Sequence, residues 1–156
     1  MSSKTNCCRI LDSIGINYTL IEYEWDELNL DAISVADKIG IIPEKVCKTL
    51  VLCGDIIPYF VVVIPGDQEL ALKKTAKATG NKSCWMLPLK DVLAVTGYLR
   101  GGCSAIGMKK HLPTFIEETI LLYDQISVSP GQRGLQILIH PHDFVQSSMA
   151  TISNLI

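Results

Sequence analysis

Lys48-Thr49-Leu50-Val51-Leu52-Cys53-Gly54-Asp55-Ile56-Ile57-Pro58-Tyr59-Phe60-Val61-Val62-Val63-Ile64 is the stretch on which the fold turns. Its two halves, Lys48 to Leu52 and Pro58 to Ile64, are apolar and rich in β-branched residues, which suit a pleated sheet. Gly54-Asp55 between them reads as a hairpin turn. Neither half alternates cleanly with polar residues, so both are expected to be central strands covered on two faces. Alternation puts Lys48 on the side of Leu50 and Leu52, and Thr49 and Val51 on the other. A lysine at the end of such a strand either snorkels into water or sits at the mouth of a pocket as a fixed cation.

Helices flank this hairpin. Cys7, Ile10, Leu11 and Ile14 recur at helical spacing before Gly15, as do Ala32, Val35, Ala36 and Ile39 before Gly40. Leu72, Thr75, Ala76 and Thr79 mark a third helix closed by Gly80. Pro88 opens a fourth, with Leu89, Val92 and Leu93 directed inward, and Pro141 opens the last. Shorter strands are expected at 17–23, 84–86, 114–116, 125–128 and 135–139. The alternation of helices with hairpin-joined strands favours an α/β (α+β-like) domain with a mixed sheet over a doubly wound parallel one.

The chain has 156 residues, a net charge of −2 and 48% hydrophobic residues. This length accommodates one domain with a substantial core. The mild negative charge excludes a global field for nucleic acid, so any such binding is local, and DNA is not expected. The apolar run 56–64 is far shorter than the roughly 20 residues a membrane helix needs. The N-terminus Met1-Ser2-Ser3-Lys4-Thr5-Asn6 lacks the apolar segment of a signal peptide, so a cytosolic location and no membrane partner are expected. The cysteines at 7, 8, 47, 53, 84 and 103 form no CxxC pair and are expected to be small buried hydrophobes. Cys103 alone sits in a stretch where a nucleophile could act. His140-Pro141-His142 lacks a third ligand, so no metal is expected, and no cofactor either. GxGxxG, GxxxxGK[ST], HExxH and GxSxG are all absent, which disfavours the classes those motifs serve.

Two glycine-rich stretches remain. Gly101-Gly102-Cys103-Ser104-Ala105-Ile106-Gly107 carries three glycines in seven positions, and Ser129-Pro130-Gly131-Gln132-Arg133-Gly134 forms a second tight loop. Such segments are turns, or they offer main-chain N–H groups to an anion. Lys73, Lys74, Lys77, Lys82, Arg100, Lys109, Lys110 and Arg133 concentrate between 73 and 133. A local basic rim suits contact with an RNA backbone.

Four fragments stand in order: Lys48-Thr49-Leu50; Pro65-Gly66-Asp67-x-Glu69-Leu70-x-Leu72-Lys73-Lys74; Thr96-Gly97-Tyr98-x-x-Gly101-Gly102-x-Ser104-x-x-Gly107-x-Lys109-Lys110; and Val128-Ser129-x-Gly131-x-Arg133-Gly134. Together they resemble the YbaK/EbsC family, the aminoacyl-tRNA editing domain also found inserted in or associated with prolyl-tRNA synthetase. The resemblance runs from about residue 5 to 148 and implies one editing domain over 1–156, with a barrel-like, mostly antiparallel sheet and a pocket.

It further implies removal of a mischarged amino acid, typically cysteine, from tRNA-Pro. The partners it implies are the tRNA acceptor end and prolyl-tRNA synthetase. By position, Lys48, Gly101, Gly102 and Ser104 would be catalytic. Tyr23, Cys103, Gly107, Ser129, Gly131, Arg133 and Gly134 would bind substrate, and Lys73, Lys74, Lys77, Lys109 and Lys110 would bind tRNA. Ala105 stands where many relatives have proline, and Pro130 where they have glycine or alanine. The alternatives are an Ala-tRNA(Pro) deacylase, an inactive module that binds tRNA or the synthetase, and an acyl hydrolase using Cys103.

Overall fold

The computed structural model describes residues 4–156. Residues 1–3, part of the stretch read above for a leader, lie outside the described residues. Helix α1 spans Asn6–Ser13, β1 Thr19–Glu22, α2 Ala32–Ile39, β2 Cys47–Gly54 and β3 Tyr59–Pro65. They are followed by α3 Leu72–Thr79, β4 Cys84–Met86, α4 Val92–Thr96, β5 Thr114–Glu117, β6 Ile126–Val128, β7 Leu135–Ile139, α5 Pro141–Ser148 and β8 Thr151–Ser153. Single-turn 3-10 segments at Pro43–Lys45 and Leu89–Asp91 lead into β2 and α4.

The strands form two sheets, one ordered β1-β7-β6 and one ordered β4-β2-β3-β5-β8. The first is antiparallel; in the second, β3–β5 and β5–β8 are parallel. An isolated parallel bridge between Val46 and Ser127 joins the two, and among the described residues they do not close into a ring. The expected mixed, mostly antiparallel, barrel-like sheet takes the form of this pair of bridged sheets.

β2 and β3 are central, as their composition predicts. Val61, Val62, Val63 and Ile64 are wholly buried because one face meets α1, β6 and β7 while the other lies under α3 and the C-terminus. Phe60 and Phe115 add an edge-to-face aromatic pair at 5.9 Å on the α3 side. The hairpin differs from the expected two-residue turn. Gly54 belongs to β2 and its N–H donates to the Pro58 carbonyl, so the connection is Asp55 to Pro58. The Asn81 side-chain oxygen accepts from the N–H groups of Ile56 and Ile57 and supports that longer loop.

α2 begins at Asp31, whose carboxylate accepts from the Ser34 N–H, and ends at Gly40 in the left-handed conformation. This is a well-formed N-cap and C-cap pair. Leu89 and Leu93 are exposed, correcting the inward expectation for both. The cause is the 3-10 turn after Pro88, which shifts the helical phase so that only Val92 of the three is buried. β8, an edge strand parallel to β5, was not expected from its polar sequence.

Candidate active site

A half-open cavity of about 390 Å³ lies where β2 loses its outer neighbour. β4 pairs with β2 only at Leu52 to Gly54, and the Leu87 N–H adds one more bond to the Val51 carbonyl. Pro88 then turns the chain away. Below Val51 the β2 edge is uncovered as far as the bridge at Val46. The cavity sits on that edge, walled by the N-terminal end of α2, by Leu87 to Val92, by Arg100, Gly101 and Cys103, and by Ser129 and Gln136.

Lys48, Gly101, Cys103 and Ser129 therefore share one hollow although they lie far apart in sequence. Gly102 lies directly behind the lining. A Cβ there would come within 3.0 Å of the Arg133 main-chain nitrogen, so the two glycine-rich loops touch through backbone. Gly101 has φ +83° and is the third residue of a turn in which the Gly102 N–H donates to the Leu99 carbonyl at 2.9 Å. This is type II turn geometry, which demands a residue tolerant of positive φ. The Gly102 N–H is thus consumed by the turn and is not free for a ligand. Arg133 Nε donates to the Arg100 carbonyl at 2.7 Å. In a planar trans peptide the Gly101 N–H points opposite to that carbonyl, away from Arg133.

The remaining residues singled out in the sequence are placed as follows. The Ser104 hydroxyl is buried and accepts from the Ile106 N–H, inside the loop rather than in the cavity lining. The Gly107 carbonyl accepts from Asn6 and from the Tyr98 hydroxyl. Gly131 packs on the Tyr98 ring and Gly134 on Trp25, and Tyr23 is joined to Gly134 through its N–H. Arg133 lies over the Trp25 ring at 5.2 Å, near Glu27. Lys73, Lys74 and Lys77 are on α3 and Lys109 and Lys110 follow the first loop; none of the five lines the cavity. Lys74 Nζ donates to the Ile156 carbonyl at 2.7 Å. Ala105 and Pro130 are buried outside the lining. His140 Nδ1 accepts from the His142 N–H and caps α5, which gives that histidine pair a structural use.

Asp31, Thr49 and Gln136 line the cavity and were not singled out in the sequence, and Arg100, read there only as part of the basic rim, lines it too. Gln136 carried a signal, being the one polar residue in the strand Leu135–Ile139, and its Oε1 accepts from the Ser127 hydroxyl at 2.8 Å. Asp31 is recognisable as a helix cap but not as a wall of the cavity. Its carboxyl is held below the usual carboxylate range, chiefly by the Ser34 hydroxyl, with the Lys48 ammonium adding to the effect. Burial pushes the Cys47 thiol up to about 12 and raises Cys103 as well. Both therefore remain protonated at neutral pH, and neither is an activated nucleophile. The cavity thus offers a cation, main-chain polar groups and apolar walls.

Residues 29–146 match the family model described as the aminoacyl-tRNA editing domain. A protein of Enterococcus faecalis (strain ATCC 700802 / V583), EbsC, provisionally named a Cys-tRNA(Pro)/Cys-tRNA(Cys) deacylase, is 50% identical over 138 residues, covering 88% of this chain and 84% of that protein. A solved structure provisionally described as a trans-editing enzyme for prolyl-tRNA synthetase superposes with a TM-score of 0.83 at 20% identity, covering 99% of this chain and 98% of the other. The hypothetical protein APE2540 superposes with a TM-score of 0.87 at 17% identity, over 96% and 98% of the two chains. At those identities the two structures speak for the fold.

Proposed function

The chain belongs to the aminoacyl-tRNA editing domain family, and on that premise we propose that it is a trans-editing deacylase that removes mischarged cysteine from tRNA-Pro. The observation carrying this reading is the convergence of Lys48, Gly101 and Ser129 on one cavity that lacks an activated protein nucleophile. A synthetase gains only about 1–3 kcal/mol of discrimination per missing methylene, so small amino acids slip through and a second site must remove them.

The substrate supplies its own nucleophile. The cysteine Sγ attacks the ester carbonyl carbon, and the carbon–oxygen bond to the ribose breaks. The thiol proton ends on the released ribose hydroxyl, leaving a four-membered thiolactone that water opens to cysteine. Attack within one residue needs positioning more than a protein base. Negative charge develops on the carbonyl oxygen, where a main-chain N–H at the cavity wall stabilises it. Lys48, in the cavity lining, holds the ribose and phosphate end by charge. The exposed lysines of α3 and Lys109 and Lys110 lie outside the cavity and serve the body of the tRNA. Prolyl-tRNA synthetase is the partner that delivers the charged tRNA, and the single domain acts in the cytoplasm.

The test is release of labelled cysteine from Cys-tRNA-Pro by wild type and Lys48→Ala, with Ala-tRNA-Pro in parallel. Rapid release by wild type and loss in the variant, with unchanged melting, is the expected result. Equal rates in the two proteins overturn the assigned site, and faster release of alanine overturns the substrate.

A further inference from the structure

We propose that the main chain of Thr49 docks the aminoacyl group as a one-residue extension of the sheet and that this dock accepts only a free α-ammonium. The proposal rests on the deacylase reading above and specifies how that site recognises its substrate.

The register determines which way Thr49 faces. Gly54 donates to Pro58 across the β2–β3 hairpin, so the even-numbered residues of β2 direct their N–H and C=O groups toward β3. On the other edge the Val51 carbonyl accepts from the Leu87 N–H, so the odd-numbered residues face outward. Thr49 is the next outward residue below Val51. Its N–H and C=O find no hydrogen-bond partner among the described residues, and Thr49 lines the cavity. Continuing the β4 register of Leu52 with Met86 would bring Leu89 opposite Thr49. Instead Pro88 leaves the ladder and Leu89 enters a 3-10 turn, so the position is vacated.

A vacated antiparallel position presents one donor and one acceptor. An aminoacyl ester carries the complementary pair. Its α-ammonium donates to the Thr49 carbonyl, and its ester carbonyl accepts from the Thr49 N–H, the oxygen on which charge develops. This is strand addition reduced to a single residue.

The antiparallel direction fixes both ends. The ester oxygen and ribose continue opposite Lys48, a cation of the cavity lining. The α-nitrogen points toward Leu87, which follows β4 and fills the next bonded position on this edge, opposite Val51. A free ammonium ends there, whereas an acyl group on the nitrogen meets protein. The cavity therefore selects aminoacyl-tRNA over N-acylated and peptidyl-tRNA, whatever the side chain.

The experiment compares Cys-tRNA-Pro with N-acetyl-Cys-tRNA-Pro, which keeps the thiol and the ester, in the wild-type protein. The acetylated substrate is expected to react more slowly by roughly 100-fold or more; cleavage within about threefold of the free form overturns the proposal. A second readout does not need turnover. The 15N-labelled protein is titrated with 3′-cysteinylamido-3′-deoxyadenosine and with its N-acetyl derivative. The Thr49 amide resonance is expected to move with the first and not the second. No movement at Thr49, or equal movement with both, overturns the dock. Selective movement of Thr49 without cleavage of Cys-tRNA-Pro upholds the dock and removes the deacylase reading.

Discussion

Arg133 Nε donates to the main-chain carbonyl of Arg100 at 2.7 Å, tying together two glycine-rich loops more than thirty positions apart. That bond fixes the plane of the peptide between Arg100 and Gly101 at the cavity wall, and the Arg133 guanidinium also lies over the Trp25 ring at 5.2 Å. A lysine at 133 keeps the charge but lacks the planar fork. Arg133→Lys should therefore lower kcat/KM for deacylation by roughly tenfold, equivalent to about 1.4 kcal/mol, while the melting temperature changes little. Steady-state kinetics on Cys-tRNA-Pro check this; an unchanged kcat/KM means the tie has no part in the reaction.

The same junction makes Gly102 intolerant. A Cβ at 102 lies 3.0 Å from the Arg133 nitrogen and 3.3 Å from the Gln132 carbonyl carbon, both main-chain atoms that cannot swing aside. Gly102→Ala should separate the loops, costing about 1–3 kcal/mol of stability as overpacking does, with activity falling more than in Arg133→Lys. Thermal melting and turnover measured on one preparation decide it, since a wild-type melting curve would show that the loops have room to part.

The parts of this arrangement that could be read from the sequence are those governed by local rules. The runs 48–52 and 58–64 predicted central strands, and Gly40 marked the end of α2 by ordinary capping chemistry. Lys48 was identified because a lysine on an apolar strand needs a reason. Asp31, Arg100 and Thr49 were not identified as cavity residues, since what places them there is non-local. Thr49 matters through main-chain groups exposed when β4 stops pairing, and no side-chain pattern encodes that. The hairpin loop ran longer than Gly54-Asp55 suggested because Asn81, distant in sequence, supplies its hydrogen bonds. Leu89 and Leu93 looked like an inward face, but a 3-10 turn breaks the period on which that reading depends.

Cys103 and Cys47 both line the cavity, yet burial raises both thiols, so they are protonated at pH 7. The Cys103 Sγ lies 3.8 Å from the Leu99 carbonyl, a contact suited to a thiol donor. Cys103→Ala should retain deacylation within about threefold of wild type. Brief iodoacetamide treatment at pH 7 should leave the activity intact. Inactivation by the alkylator that Cys103→Ala abolishes would transfer the chemistry from substrate to protein.

Glu117 anchors the C-terminus from inside the core. It is fully buried; its Oε1 accepts from the Leu155 N–H and its Oε2 from the Thr119 N–H, each at 2.9 Å. Burial alone would raise its carboxyl, but these hydrogen bonds outweigh it and hold the group below its ordinary value of 4.5. A depressed folded-state value means that the carboxylate's contribution is complete above the unfolded value and is lost as pH falls through the folded one. Glu117→Gln keeps the volume but leaves one neutral acceptor and sets an amide NH2 against the other backbone N–H, and should cost about 1.5–3 kcal/mol at pH 7. The gap between wild type and variant should narrow steadily as the pH drops below 4.5, because protonation of Glu117 removes the charge from the wild type as well. Urea titrations at pH 7 and in that acid range measure both gaps; a difference independent of pH would show that packing, not charge, makes Glu117 necessary.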